Sequence, residues 1–396
     1  MAQSNPPRIA LLFSQFAAYH MDRCEAVARR LQGRAQVLAL EVAATSAAYA
    51  WERSGSLDMA RKATLFPRSS YENIGTFRKL FAQFRALRHC HMVLIGIPYN
   101  RPDIVILAWL LWLFGVRVVL LSESKFDDFP RSLKVELVKA LLFGPYCAAI
   151  GGGRRHLAYF RFLGFRRRTV LPGYDGVSLE RVRSQAGDGQ VAYADRHFVF
   201  VGRFVAKKNL FELVDAYALY ARKAGGGARK LVLAGSGPLE PELRARIGAL
   251  GLSELVDFPG FLPAAEVSRL LAGSLALVLV STVEQWGLVV NEALALPVIV
   301  SSPVGARDAL VRNLVNGYVV ETGSVEGLAR AMALLSSDEA CWRDLSQGSH
   351  SRAWLGDAER LADAVEVLLD RHAEPASGRI AAFLAEMGPE PVKGEA

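Results

Sequence analysis

Short uninterrupted runs of Val, Ile, Leu and Ala recur along the whole chain, separated by longer segments whose apolar residues return at helical spacing. In the first half the runs are Arg8–Phe13, Gln36–Leu40, Met92–Gly96, Val116–Leu121 and Cys147–Ile150. In the second they are His197–Val201, Lys230–Ala234, Leu255–Phe258, Leu275–Val280, Val298–Ser301 and Tyr318–Val320. A strand with one wet face alternates apolar and polar residues. A run that is apolar at nearly every position needs cover on both faces, as in a parallel sheet between helices. Strand and helix alternating in this way predict doubly wound α/β domains. At 396 residues the chain has length for two.

The turn signal Leu171-Pro172-Gly173-Tyr174-Asp175-Gly176 and the polar, mixed-charge stretch Ser178–Asp195 mark the break between them. The expected division is a first domain over 1–175, a linker over 176–196, a second domain over 197–350 and a C-terminal segment over 351–396. In that last segment Leu361, Ala364, Val365 and Leu368 mark a helix expected to cross back, followed by a tail.

The formal charge of +8 is unevenly placed. Residues 1–175 carry +13 and residues 176–396 carry −5. A basic half points to an anionic partner: a membrane surface, nucleic acid or phosphorylated substrates. No zinc-finger, helix-turn-helix or RNP-type pattern accompanies the basic stretch Arg154–Arg168, so nucleic acid is not expected. The most apolar stretch, Ile104–Leu121, is broken by Gly115 and Arg117 and falls short of the ~20 residues that span a bilayer. It reads as a helix, a turn and a strand. Within it Trp109–Phe114 resembles an interfacial patch, and with Arg154–Arg168 it predicts docking on an anionic bilayer. The N-terminus reads as a first buried strand rather than a signal peptide. Cys24, Cys90, Cys147 and Cys341 form no CxxC pair or framework. A reduced, cytoplasmic setting is therefore expected, with any membrane association peripheral. His89-Cys90-His91 would point to opposite sides of an extended segment, so no metal site is expected there.

The second half carries the chemistry. Its first strand ends in Val201-Gly202-Arg203, and Lys208 follows five residues beyond Arg203. Ligands of open α/β sheets bind outside the carboxyl ends of strands, where a planar Arg fork and a compact Lys charge suit a pyrophosphate. Ala234-Gly235-Ser236-Gly237-Pro238 and Phe258-Pro259-Gly260-Phe261 end the next two strands, with glycines that admit close backbone approach. No GxGxxG follows a strand and there is no P-loop, so a nicotinamide-type site is disfavoured. The sharpest feature is Ser281-Thr282-Val283-Glu284-Gln285-Trp286-Gly287-Leu288-Val289-Val290-Asn291-Glu292. With a helix starting near Gly287, Glu284 stands on the loop before it and Glu292 on its second turn. Two carboxylates suited to sugar hydroxyls then flank free N–H groups suited to phosphate.

This arrangement resembles the Glu-x7-Glu retaining glycosyltransferases of the GT-B fold, the large family 4 (group 1) class, in its bacterial surface-polysaccharide form. The resemblance covers Gly202-Arg203, Lys208-Asn209, Gly235–Pro238, Gly260, Glu284, Glu292, Pro297–Ser301 and Asn316-Gly317. It implies two doubly wound Rossmann-like domains facing across a cleft, with a nucleotide-diphosphate sugar as donor and neither cofactor nor catalytic metal. It implies that Arg203 and Lys208 grip the pyrophosphate, that Glu284 contacts the donor sugar and that Glu292 binds the ribose hydroxyls. Backbone near Gly287, Leu288 and Val289 would meet sugar and phosphates, and the base would lie near Gly260–Leu262, with Gly235 and Phe261 also lining the donor site. Chemistry would be a same-face displacement in which the leaving phosphate takes the acceptor proton, with Glu284, Arg203 and Lys208 as the catalytic set. A GT-B sugar-nucleotide epimerase and a catalytically silent donor-binding component are the alternatives. The sequence departs from the family at Gln285-Trp286, at Leu296 and at Val304-Gly305-Ala306.

The first half matches the family less specifically. His20 near the first helix start and Glu123, Lys125 and Asp128 after a strand are the acceptor-side candidates. The acceptor implied is a saccharide or a lipid-linked saccharide.

Overall fold

A computed structural model describes residues 6–47, 55–187, 191–293, 295–370 and 373–387. The chain forms two compact units, Met1–Ser178 with Ala358–Ala396, and Leu179–Asp357.

The first unit runs β1 (Arg8–Phe13), α1 (Ala18–Arg30), β2 (Gln36–Thr45), β3 (Arg61–Ser70), α2 (Thr76–Leu87), β4 (Met92–Ile95), α3 (Pro102–Leu113), β5 (Arg117–Leu121), α4 (Leu133–Leu142), β6 (Tyr146–Ile150), α5 (Arg154–Phe162) and β7 (Thr169–Leu171). The sheet order is β3-β2-β1-β4-β5-β6-β7, and every pairing is parallel. Leu11 of β1 lies between Ala39 of β2 and Leu94 of β4. The continuous apolar strands have the expected cause. Ile9, Leu11 and Phe13 face one buried cluster, and Ala10 and Leu12 face the other on the opposite side of the sheet.

The second unit opens with α6 (Leu179–Ala186). It continues through β8 (His197–Val201), α7 (Leu210–Ala224), β9 (Leu231–Ala234), α8 (Glu240–Ala249), β10 (Val256–Gly260), α9 (Ala264–Ala272), β11 (Ser274–Leu279), α10 (Val289–Glu292), β12 (Val298–Ser301), α11 (Arg307–Leu310), β13 (Gly317–Val320), α12 (Val325–Ser337) and α13 (Glu339–Arg352). Its parallel sheet has the order β10-β9-β8-β11-β12-β13. The stretch read as a linker contains α6, which belongs to this unit; Ser268 of α9 donates to the Gln185 side chain at 3.3 Å.

The chain then returns to the first unit through α14 (Glu359–Leu369) and α15 (Glu374–Glu386). Leu361, Ala364, Val365 and Leu368 of α14 join the cluster that also holds Cys24 and Val27 of α1. At the rim, Arg30 pairs with Glu359 (2.5 Å), Glu366 (3.3 Å) and Asp363.

Two strands differ from the sequence expectation. β3 and β7 are edge strands. β3 is half-exposed and contains Pro67, which an edge tolerates because no neighbour needs its N–H; β7 has three residues. Among the described residues no helix is long and apolar enough to cross a membrane. The stretch read as a helix over 104–114 lies in α3 (Pro102–Leu113), which Phe114 caps and Gly115 follows at φ +76°.

Candidate functional site

In the second sheet β9 lies on one side of β8 and β11 on the other. The carboxyl ends of β8 and β11 are thus a topological switch point, where open α/β sheets leave a crevice. The segments after these two strands carry Arg203, Lys208 and Glu284 on loops and Glu292 at the end of α10.

The two loops are tied together. Thr282 N–H donates to Lys207 O at 2.8 Å. Lys208 Nζ donates to Glu284 Oε2, Ser281 Oγ donates to the same oxygen at 3.0 Å, and Lys207 Nζ lies 4.0 Å from Oε1. The Lys208 and Glu284 side chains are 12% and 11% exposed. Burial pulls the Lys208 ammonium below its ordinary pKa, and the Glu284 charge opposes that shift. The backbone around Glu284 is fixed from the other side. Gly305 N–H donates to Glu284 O at 3.1 Å and Ala306 N–H to Trp286 O at 2.9 Å. The Trp286 indole is buried and donates to Asn291 Oδ1 at 2.9 Å. A pre-set ammonium–carboxylate pair at a switch point offers a cation to a phosphate and an acceptor to a hydroxyl.

Arg203 is exposed on the same loop as Lys208. Glu292 closes the four-residue helix Val289–Glu292 and does not stand on the second turn of a longer one. The first bond of that turn is Val290 N–H to Gly287 O at 2.9 Å, and Pro297 and β12 follow directly. Gly287, Leu288 and Val289 are half-buried ahead of it, and Phe261 is exposed beside Gly260 at the end of β10.

Gly235, after β9, also has a reason within the fold itself. A Cβ on Gly235, at φ +138°, would lie 1.9 Å from Gly202 O. Gly235 N–H donates to Gly260 O at 2.8 Å, and Phe204 N–H to Ser236 O at 2.9 Å. The close approach at Gly235 is of loop to loop, which holds the loop carrying Arg203.

Ser281 and Thr282 head the motif read from the sequence, which gives them no role; in the fold Thr282 ties the Glu284 loop to the Lys207–Lys208 loop and Ser281 holds the Glu284 carboxylate. Their signal was position alone, just beyond the end of a buried strand.

In the first unit the acceptor-side candidates fall into two groups. His20 is buried on α1. Its Nδ1 accepts the Ala17 N–H at 3.0 Å, and its ring lies 4.3 Å from that of Phe13. Glu123 approaches Asp175, which burial and the Glu123 charge push well above the carboxylate range against the pull of Arg23. Arg23, fully buried, donates to Gly176 O at 3.1 Å and Asp175 Oδ1 at 3.3 Å. Arg23 was not singled out from the sequence; a mid-helix arginine carries no local sign of burial. Lys125 and Asp128 pair with each other instead of presenting separate groups. Lys125 Nζ lies 3.2 Å from Asp128 Oδ1 and 3.0 Å from Asp127 Oδ1, and the Lys125 N–H donates to Asp128 Oδ2 at 2.9 Å.

Burial, reinforced by Arg23, holds the His20 imidazole well below its ordinary value of 6.5. The unfolded chain therefore binds this proton more readily. The stability His20 contributes is complete above pH 6.5 and falls as pH drops below it, by at most ~1.4 kcal/mol per unit. His20→Asn keeps an acceptor for the cap without a titration, so its melting temperature should fall less steeply than the parent's from pH 7 to acid. Parallel melting curves would remove His20 as the cause.

Residues 189–352 match the family model for glycosyl transferases group 1. The alpha-D-kanosaminyltransferase of Streptomyces kanamyceticus is 30% identical over 146 residues, 36% of this chain and 37% of that protein. The chain thus aligns with well under half the length of this curated relative. The fold match is broader. Anabaena HepE, solved with UDP and glucose, superposes with a TM-score of 0.65 over 92% of this chain and 100% of that one, at 17% identity. The pneumococcal O-GlcNAc transferase GtfA, solved with UDP and GlcNAc, gives 0.68 over 93% and 99%, at 10% identity. The two Rossmann-like units together have the fold of GT-B glycosyltransferases, and the second carries the region that matches glycosyl transferases group 1.

Proposed function

We propose that the protein is a retaining glycosyltransferase of the family 4 type. It moves a sugar from a nucleoside-diphosphate sugar to a saccharide or lipid-linked saccharide acceptor in the cytoplasm, in bacterial cell-surface polysaccharide synthesis. The observation that carries this reading is the Lys208–Glu284 pair at the switch point of a unit that matches glycosyl transferases group 1. UDP and a sugar in the HepE and GtfA structures support a nucleotide sugar as donor.

Unit 2 holds the donor, with Arg203 and Lys208 on the diphosphate, Glu284 on the sugar and Glu292 on the ribose. Unit 1 recognises the acceptor. The acceptor hydroxyl oxygen bonds to the anomeric carbon on the face from which the diphosphate oxygen departs. The departing phosphate takes the hydroxyl proton, and the Arg203 and Lys208 charges stabilise it. No metal and no protein nucleophile takes part.

A thermal-shift screen against UDP-, GDP-, ADP- and dTDP-sugars should find one base that stabilises the protein by mass action, ~2.7 kcal/mol at a hundredfold excess over Kd. Glu292→Ala should chiefly shrink that shift, and Arg203→Ala should chiefly lower turnover. No shift with any donor, or parent-like transfer by both variants, would overturn the assignment.

A further inference from the structure

Helix α4 is built inside out. Leu133, Leu137 and Leu141 are exposed along one face, with Val135 and Val138 exposed beside them. The residue it buries is Glu136. Glu136 accepts hydrogen bonds from Tyr159 at 2.6 Å and Lys139 at 2.9 Å, and Arg131 donates to the same Tyr159 hydroxyl at 2.8 Å. A polar network thus anchors the helix to unit 1 and leaves its apolar face outward, the reverse of the usual pattern.

The apolar surface continues on both sides. Phe126, exposed before α4, lies 5.1 Å from the exposed ring of Phe162 on α5. After α4, a Cβ on Gly144 would meet the Trp109 ring of α3 at 2.8 Å. Trp109 and Trp112 are both partly exposed, 5.5 Å apart. Apolar surface this continuous marks an interaction site.

Its charge identifies the partner. Residues 126–172 contain nine Lys and Arg and three acids, of which Asp128 and Glu136 are buried and Asp127 pairs with Arg155 at 2.6 Å. Lys134, Arg161, Arg166 and Arg167 are exposed. A second copy packed face to face would set these charges against their own kind. Phosphate headgroups complement them, and acyl chains complement the leucines. We propose that this face of unit 1 docks on an anionic lipid bilayer, with α4 lying in the headgroup layer. The site is centred on α4, between the two segments that the sequence reading singled out.

Co-sedimentation of the full chain with vesicles tests it. Binding is expected to phosphatidylcholine vesicles containing phosphatidylglycerol, much less to phosphatidylcholine alone, and should weaken as salt rises. Leu137→Glu and Leu141→Glu should each lower vesicle affinity about tenfold or more with parent-like melting. Arg166→Glu with Arg167→Glu should lower affinity and flatten the salt dependence. Absent binding to anionic vesicles, or parent-like binding by well-folded Leu137→Glu and Leu141→Glu, would overturn the proposal. So would a parent dimer that Leu137→Glu turns into a monomer without any vesicle binding, which would assign the face to a second copy. Vesicle binding is read without donor or acceptor, so its failure leaves the transferase reading standing.

Discussion

Lys208→Ala should lower kcat for sugar transfer by roughly a hundredfold or more, the scale on which one preorganised charge partner acts in a shielded site. The lysine is not a mobile surface charge that must be recruited. Its ammonium is already held between the β8 and β11 loops by Glu284, with 12% of the side chain exposed. Removing it also leaves Glu284, 11% exposed, with Ser281 as a hydroxyl partner and Lys207 no nearer than 4.0 Å. Breaking one side of such a pair costs about 3–5 kcal/mol, whereas removing both sides together costs far less. Lys208→Met combined with Glu284→Gln should therefore melt closer to the parent than Lys208→Met alone, while turnover stays low in both. That split separates fold from chemistry. Lys208→Arg should recover only part of the rate, because a planar fork does not replace a compact ammonium. A Lys208→Ala enzyme with parent-like kcat would remove this residue from the reaction.

The central strands were legible because burial on both faces leaves a continuous apolar run, and β1, β8 and β12 begin and end where those runs do. The edges were not. β3 has a neighbouring strand on one side only, is partly exposed throughout and carries Lys62, Pro67 and Arg68, a composition shared with loops. Helix α4 has the leucine spacing of a buried amphipathic helix, and nothing in LKVELVKALL says that the glutamate is the inward residue. That follows from Tyr159 and Arg131, which lie on other segments. In the site, the strand–loop order exposed Arg203, Lys208, Glu284 and Glu292 as candidates. The direct contact of Lys208 with Glu284 was hidden, because 76 residues separate them and they were read as holding different parts of a donor. Lys125 and Asp128 show the converse. As separate residues after a strand they read as acceptor groups, and in the fold they neutralise one another.

Gly305→Ala should destabilise unit 2 by about 3 kcal/mol and weaken donor binding at least as much as Glu292→Ala. From sequence, Val304-Gly305-Ala306 is only a departure from a Gly-Gly pattern. In the fold, a Cβ on Gly305 would lie 1.7 Å from Gln285 O, 2.5 Å from Gln285 C and 2.9 Å from Trp286 Cα. All three are backbone atoms that no rotamer change can move. The crossing is also where Gly305 N–H holds Glu284 O and Ala306 N–H holds Trp286 O. Trp286 is buried and bonded to Asn291, so the strain is relieved most readily by displacing Glu284 and Gln285, which pulls the carboxylate away from Lys208 and Ser281. A single methyl group that touches no donor atom should thus reach the donor through the loop. Gly226→Ala is the matched control, since its Cβ would meet nothing within 4 Å; its melting and its donor-induced thermal shift should both equal the parent's. Calorimetry of the two variants with and without the nucleotide sugar checks this. A Gly305→Ala protein that melts and responds to donor like the parent would show that the β12 crossing does not set the position of Glu284.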